Sequence, residues 1–314
     1  MVVMRRDGGQ RIRGEAGETY ESLRPYLFAV AYRMTGAASD AEDLVQDAWI
    51  RYLDAGSPPV ASLRAYLTTI VSRLTLDYLK SARVTREQYV GTWLPEPVRT
   101  ADAIPGPDAT AEQREAVSIA FLTLLERLTP DQRIVFVLRS GFGLPFAEIA
   151  AHLGRTAAAC RQLHVRATRV LAESPERPHP ALPPPAANPD AIVRRFLAAL
   201  EAGDLGTVTS LLADGATWSG DGGAHHHTVR RTVRGAGKVA RGLIGLRRKY
   251  PDRGEVATIE DVNGAPAIVE RVAGAIWRVS IIELAGDRVC AVKAMLNPEK
   301  IAYLDRAGAP VQAR

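Results

Sequence analysis

Between Ser174 and Pro189 the chain carries Pro175, Pro178, Pro180, Pro183, Pro184, Pro185 and Pro189. A proline lacks the backbone donor and fixes φ, so such a run neither continues a helix nor pairs into a sheet, and it reads as an extended, semi-rigid spacer. The 314 residues also exceed what one hydrophobic core usually organises, so the sequence on either side must bury separate cores. A second, weaker break spans 84–109, where Gly91, Pro95, Pro97, Pro105, Gly106 and Pro107 interrupt any helical period. The expected order is a polar tail (1–18), a helical domain (19–83), a linker (84–109), a second helical domain (110–173), the proline-rich spacer (174–187) and a carboxy domain (188–314).

Composition narrows the classes. With 46% hydrophobic and 24% charged residues the chain buries real cores and is not disordered as a whole. A formal charge of +5 permits a nucleic-acid partner without dictating one. Cys160 and Cys290 stand far apart with no Cys or His at ligand spacing, which argues against a disulfide scaffold or zinc finger; both are expected as packing residues. Residues 1–18 contain no apolar leader and no later stretch approaches eighteen apolar residues, so a cytoplasmic protein without membrane contact is expected. No nucleophile elbow, phosphate-binding loop, dinucleotide fingerprint or zincin motif occurs, so no catalytic residue, cofactor or metal is expected. His225, His226 and His227 are adjacent and cannot all face one metal, and a turn-capping role is favoured for Asp221 over a general acid or base.

Periodicity organises the amino half into helices. Tyr20, Leu23, Leu27, Val30 and Met34 recur at three- and four-residue intervals up to Gly36. Ser39 and Glu42 have capping-box spacing and open a second helix to about Asp54, acidic at Asp40, Glu42, Asp43 and Asp47. Those charges suit a solvated face and a docking face for a basic partner equally. A third helix is expected from Ser62 to about Arg83. Thr110 with Gln113 and Thr129 with Gln132 mark further capped helices, Pro130 standing at a first helical position. Phe146–Leu153, a turn at Gly154 and a helix from Thr156 to about Leu171 form a helix-turn-helix candidate.

On a helical wheel Cys160, His164, Ala167 and Leu171 share one side of that last helix. Arg161, Gln162, Val165, Arg166 and Arg169 occupy the other, with no acid among them. Major-groove reading needs donors for base edges early on the helix and cations for phosphates beside them. Arg161 and Gln162 suit the first task, Arg166 and Arg169 the second.

Beyond the spacer, Asn188 caps a helix bearing Phe196, Leu197 and Leu200, a short helix carries Leu211 and Leu212, and a third lies near Lys238 to Tyr250. Glu255–Val262, Pro266–Val272, Ala275–Glu283 and Arg288–Leu296 read as strands joined by turns at Asn263-Gly264, Gly274 and Gly286-Asp287. Helices followed by an antiparallel meander indicate an α+β domain. Trp218, Gly220, Asp221, Gly222 and Gly223 read as a turn. Trp277, Val279, Ile281, Val292 and Met295 line either a dry core, which is favoured, or an apolar pocket.

Taken together, residues 19 to 172 resemble a bacterial sigma factor of the extracytoplasmic-function class. Asp40-Ala-Glu-Asp-Leu-Val-Gln-Asp-Ala-Trp49 is similar to the region that docks on RNA polymerase, Arg64 to Arg83 to the regions that recognise and open the minus-10 element, and Leu128-Thr-Pro-Asp-Gln-Arg133 with Phe146–Leu171 to the region that reads the minus-35 element. The resemblance implies polymerase contacts at Asp40, Glu42, Asp43, Leu44, Gln46, Asp47 and Trp49, and minus-10 contacts at Arg64, Arg73, Lys80 and Arg83. Residues 188 to 300 resemble a SnoaL-like, NTF2-like domain, which implies the subgroup with that domain fused behind the sigma domains.

Trp93-Leu94-Pro95-Glu96-Pro97-Val98, Asp221-Gly222-Gly223-Ala224 and Asn297-Pro298-Glu299-Lys300 carry that subgroup resemblance; Ala224 departs from it, standing where a further glycine is usual. In the subgroup these segments are implied to meet, so that the extra domain regulates the sigma factor in cis. The implied partners are the clamp and flap of core RNA polymerase and promoter DNA, with no separate anti-sigma factor and a monomer when free. The alternatives are a carboxy domain that works as an isomerase or cyclase or senses a small molecule, and a plain helix-turn-helix repressor.

Overall fold

The computed structural model describes residues 19–87, 89, 91–104, 110–173, 188–229, 231–249 and 254–308, the side chains of 82–87, 111 and 307–308 aside. The tail 1–18 and the proline-rich spacer 174–187 lie outside the described residues. Among the described residues no helix is long and apolar enough to cross a membrane.

Helix α1 (Tyr20–Thr35) starts at a Thr19–Ser22 capping box and stops where Gly36 turns left-handed, its amide bonded back to the Tyr32 carbonyl. Helices α2 (Ala38–Asp54) and α3 (Leu63–Glu87) follow, α3 running four residues past its expected end. After the short α4 (Thr100–Ala103) come α5 (Ala111–Glu115), α6 (Ile119–Leu125) and α7 (Pro130–Phe136), which continues as a π-turn over Val137–Gly141. Both expected capping boxes, at Thr110–Gln113 and Thr129–Gln132, form. The helix-turn-helix is α8 (Phe146–Leu153), left-handed Gly154 and α9 (Ala157–Ala172), whose cap is Thr156.

The capping expected of Ser39 does not occur. Ala37 is the N-cap of α2 and makes no side-chain cap bond. The Glu96 carboxylate, from the linker, accepts instead from the Ala38 amide (2.8 Å), the Ser39 amide (3.0 Å) and the Ser39 hydroxyl (2.9 Å). An acid delivered from 57 residues away satisfies the orphan donors and the positive helix end, leaving Ser39 inside the first turn.

The two helical domains share one core. Leu27, Leu67 and Val71 from the first join Ile134, Leu138 and Ile149 from the second in a continuous buried cluster. Arg133, buried, donates to the Met34 carbonyl at the end of α1 (2.7 Å) and to Glu126 (2.7 Å), and the Thr69 hydroxyl lies 2.7 Å from His152 Nδ1 across the α3–α8 seam.

The carboxy domain opens with α10 (Pro189–Ala202), capped by Asn188, and α11 (Leu205–Leu211). Strand β1 (Leu212–Asp221) follows directly, so the segment through Trp218 is a strand rather than a turn; its alternating apolar face is masked in sequence by Gly215 and Gly220. The short β2 (Val233–Arg234) and α12 (Ala236–Lys249) lead to the meander β3 (Val256–Val262), β4 (Ala265–Val272), β5 (Ala275–Ala285) and β6 (Arg288–Met295), and α13 (Pro298–Gly308) ends the described chain. The sheet order is β2-β1-β6-β5-β4-β3, antiparallel except where β1 runs parallel to β6, with Asp221 opposite Met295. The fold is thus two helical domains followed by an α+β domain.

The residues expected to line one core or pocket divide between the two faces of the sheet. Val279, Ile281 and Met295 pack with Leu94, Ile119 and α13, whereas Trp277 and Val292 face α10 and α12 across a cavity. Trp277 leaves the face of Val279 and Ile281 because the β4–β5 register shifts between Glu270 and Arg271, which pair with Arg278 and Ile276 and leave Trp277 as the extra residue of a bulge, while Val292 and Met295 on β6 differ by ordinary alternation.

Candidate functional site

The linker is not an open spacer: Leu94 through Val98 are buried. Its anchor is Asp221, 1% exposed at the end of β1. Asp221 Oδ2 accepts from the Leu94 amide (2.8 Å) and from the Lys300 ammonium (2.7 Å), and Oδ1 from the Tyr89 hydroxyl (2.5 Å) and the Gly223 amide (3.1 Å). Lys300 also donates to the Leu94 carbonyl (2.6 Å) and stands 4.3 Å from the Trp93 ring centre and 4.7 Å from that of Tyr89. A cation over two aromatic faces and against a buried carboxylate is held by both. Burial, reinforced by the hydrogen bond to Asp221, pushes the Tyr89 phenol well above its ordinary pKa.

The supporting residues follow from close packing. Asn297 caps α13 through the Glu299 amide (3.1 Å) and donates to Tyr89 (3.0 Å), with Pro298 as the first helical residue. Gly223 has φ +57°, and a Cβ there would lie 2.7 Å from the Asn297 amide nitrogen; at Gly222 it would lie 2.0 Å from the His226 carbonyl oxygen. Larger residues at either position displace the clasp. Asp221 therefore both caps its own turn and joins the linker, while Trp93, Leu94, Asn297 and Lys300 converge on it. Glu96 works at the other end of the same segment, its backbone tied to Gly36 (2.8 Å) and to the Tyr32 hydroxyl (2.7 Å), and Pro95 lies against Gly36 while Pro97 is buried.

A second junction has no counterpart in the sequence reading. Asn263, fully buried at the β3–β4 turn, accepts from the Val98 amide (3.0 Å) and donates to the Tyr32 hydroxyl (2.7 Å) and the Val117 carbonyl (2.8 Å). Beside it Asp261 accepts from Thr100 (2.6 Å) and Arg114 (2.6 Å). An Asn-Gly pair reads as a hairpin turn whether or not it is inserted into a neighbour, so no local signal marks it. Tyr89 likewise stands in a segment without pattern.

Helix α9 presents its basic arc to solvent. Arg161, Gln162, Val165, Arg166 and Arg169 are all exposed, Val165 at 66%, whereas Cys160, Ala167 and Leu171 are buried. Arg169 pairs with Glu173 (2.8 Å), and His164 packs against Phe136 and Phe146. Burial pushes the Cys160 thiol up, which suits a packing role; Cys290 is half-buried, with its thiol against the Glu283 carbonyl. On α3, Arg64 lies over the Tyr26 ring (4.0 Å), Arg73 is exposed, and Lys80 is exposed near Asp77 (3.6 Å). The Arg83 side chain lies outside the described residues.

The acidic helix divides. Asp43, Gln46 and Asp47 are exposed. Asp40 accepts from Tyr78 (2.5 Å), and Glu42 is shared between Arg24 (2.6 Å) and Tyr303 of α13 (3.3 Å). Trp49 is half-buried between Tyr20 and Tyr52. Leu44 departs from its expected role: it is buried in the shared core, on the inward side of α2, and offers nothing to a docking partner in this arrangement.

Two helical domains in series, the second a helix-turn-helix with an exposed basic arc, have the form of a helix-turn-helix DNA-binding protein. The models for Sigma-70 region 2 and for Sigma-70, region 4 match residues 19–85 and 118–171. The chain is 41% identical over 307 residues, 94% of either chain, to the ECF RNA polymerase sigma factor SigJ of Mycobacterium tuberculosis. It belongs to the family of ECF RNA polymerase sigma factors, which serve promoter recognition and transcription initiation. The crystal structure of Mycobacterium tuberculosis SigJ matches with a TM-score of 0.70 at 40% identity, covering 90% of this chain and 97% of that one. Bartonella quintana RpoE, solved with the anti-sigma factor NepR, matches at 24% identity over 48% of this chain and 90% of that one, with a TM-score of 0.37.

Proposed function

We propose that this sigma factor is controlled in cis: its carboxy domain clasps the linker between the two promoter-reading domains and thereby sets how far they can separate. The observation that carries this reading is the buried Asp221–Lys300 pair, which grips the Leu94 backbone by both its amide and its carbonyl. The chain acts with core polymerase in the cytoplasm and catalyses nothing itself. Asp43, Gln46 and Asp47 are the polymerase-facing set, Arg161 and Gln162 read minus-35 bases, Arg166 and Arg169 hold phosphates, and Arg64, Arg73 and Lys80 serve the minus-10 region. Contact of α13 with Glu42 supports the reading, since it brings the carboxy domain to the rim of the polymerase face.

Asp221→Asn removes the charge opposite Lys300. Stranding a buried cation costs about 3–5 kcal/mol, enough to release the linker. In transcription with core polymerase on a promoter library, the full-length variant should differ from the parent several-fold in output while still assembling holoenzyme. Identical output from a variant whose linker has become protease-sensitive would remove control in cis.

A further inference from the structure

The sheet face turned away from the sigma domains bounds a cavity of about 990 Å³, closed on its other sides by α10 and α12. Its walls are apolar at Phe196, Leu200, Trp218, Ile244, Ile282 and Val292. Its floor is Glu270, 1% exposed, which accepts from Arg278 (2.5 Å) and more distantly from Arg247 (3.3 Å). A well-packed domain has no void on this scale, and a space of about 300–1,000 Å³ with apolar walls and a few fixed polar groups is the form of a small-molecule site.

The polar groups here are chiefly donors. The indole N–H of Trp218, on a ring 6% exposed, has no acceptor among the described residues. Arg247 reaches Glu270 and Glu201 only at 3.3 and 3.5 Å and is a quarter exposed at the rim, so its guanidinium is loosely held. Arg248, Lys249 and Arg278 add cations, and the described lining carboxylates, Glu201, Glu255 and Glu270, are fewer than these four.

We propose that this cavity binds an amphipathic organic acid: a ring-sized apolar body seated among Trp218, Phe196 and Ile282, with one anionic group at Arg247. The site adjoins the clasp through one strand end. Gly220 and Thr228, joined by a 3.0 Å bond from the Thr228 hydroxyl to the Gly220 carbonyl, line the cavity, and the next residue after Gly220 is Asp221. The inference deepens the reading of control in cis by giving it a chemical input, and binding is measured without polymerase or promoter, so either can fail alone.

The test titrates the full-length protein with 8-anilinonaphthalene-1-sulfonate, a fluorescent amphipathic anion, and in parallel with N-phenyl-1-naphthylamine, the same body without its charge. The sulfonate should saturate one site per chain. Ser280→Trp, which fills the cavity from β5, should weaken it about tenfold or more by steric exclusion; should that variant not fold, Ala294→Leu fills from β6 to the same end. Arg247→Gln should weaken the sulfonate about fivefold, the scale of one partly exposed charge pair, and leave the neutral amine unchanged. Undiminished sulfonate binding in a folded cavity-filled variant overturns the site. Equal effects of Arg247→Gln on both dyes overturn the acidic class of ligand.

Discussion

Glu96 shows how one carboxylate can fasten the linker to the start of a helix. Burial raises its pKa, while the Ser39 and Ala38 donors pull the other way without cancelling the rise. A folded pKa above the unfolded one means that the native state keeps its proton longer. That contribution to stability is complete below the ordinary carboxylate range and is lost as pH rises through the elevated folded value. Glu96→Gln retains the acceptor and removes the titration. The melting temperature of the parent minus that of Glu96→Gln should therefore grow as pH falls from 7 toward 5, and a flat difference would contradict a buried, raised Glu96. Gly264 makes a steric point at the same scale: it has φ +76°, and a Cβ there would sit 2.4 Å from the Arg114 carbonyl oxygen, so any side chain drives the β3–β4 turn from its seat.

Among elements, α9 is the one whose use can be read most directly. Its buried side is set by Cys160, Ala167 and Leu171, and its exposed side has Arg161 and Gln162 near the start. Alanine at both should lower discrimination between minus-35 sequences by about 1–3 kcal/mol per lost base contact, whereas Arg166→Ala should weaken all sequences alike. A uniform loss from the double variant, measured by competition binding across a minus-35 library, would reverse the orientation of the helix. The helices, caps and meander were legible because 3.6- and two-residue periods and capping residues are local signals. Strand β1 was not, since glycines dilute its alternation and its parallel partner β6 lies some seventy residues on. The clasp was legible only as a set of motifs. Neither Tyr89 nor Asn263 has a neighbour in sequence that announces a partner more than a hundred residues away. Val279, Ile281 and Met295 line a packed core, as expected, whereas Trp277 and Val292 face the cavity; apolar strand residues look alike in sequence whether they meet other side chains or empty space.

At the scale of the molecule, the two DNA-reading domains are one body, joined by Arg133, Thr69, His152 and a shared core. Elements named minus-10 and minus-35 stand 25 base pairs apart, about 85 Å along a duplex at 3.4 Å per pair. A compact chain of this length has a radius of gyration of roughly 20 Å, and cannot reach both. The domains must part on the promoter, and a dye pair on Asp54→Cys and Thr168→Cys should lose energy transfer when holoenzyme binds; unchanged transfer would mean that the closed body itself engages DNA. His152 bears on the same seam. Burial lowers its pKa, against the pull of Glu148. The neutral ring favours the closed state fully above pH ~6.5, and that share is lost as pH falls through the lowered value. The clasp on Leu94 acts within this geometry as a tethered ligand. Because the carboxy domain is covalently attached, it meets the linker at an effective concentration of about millimolar, independent of cellular abundance. A soluble competitor for the linker at micromolar levels would be about a thousandfold less concentrated than it, so simple competition does not open the clasp.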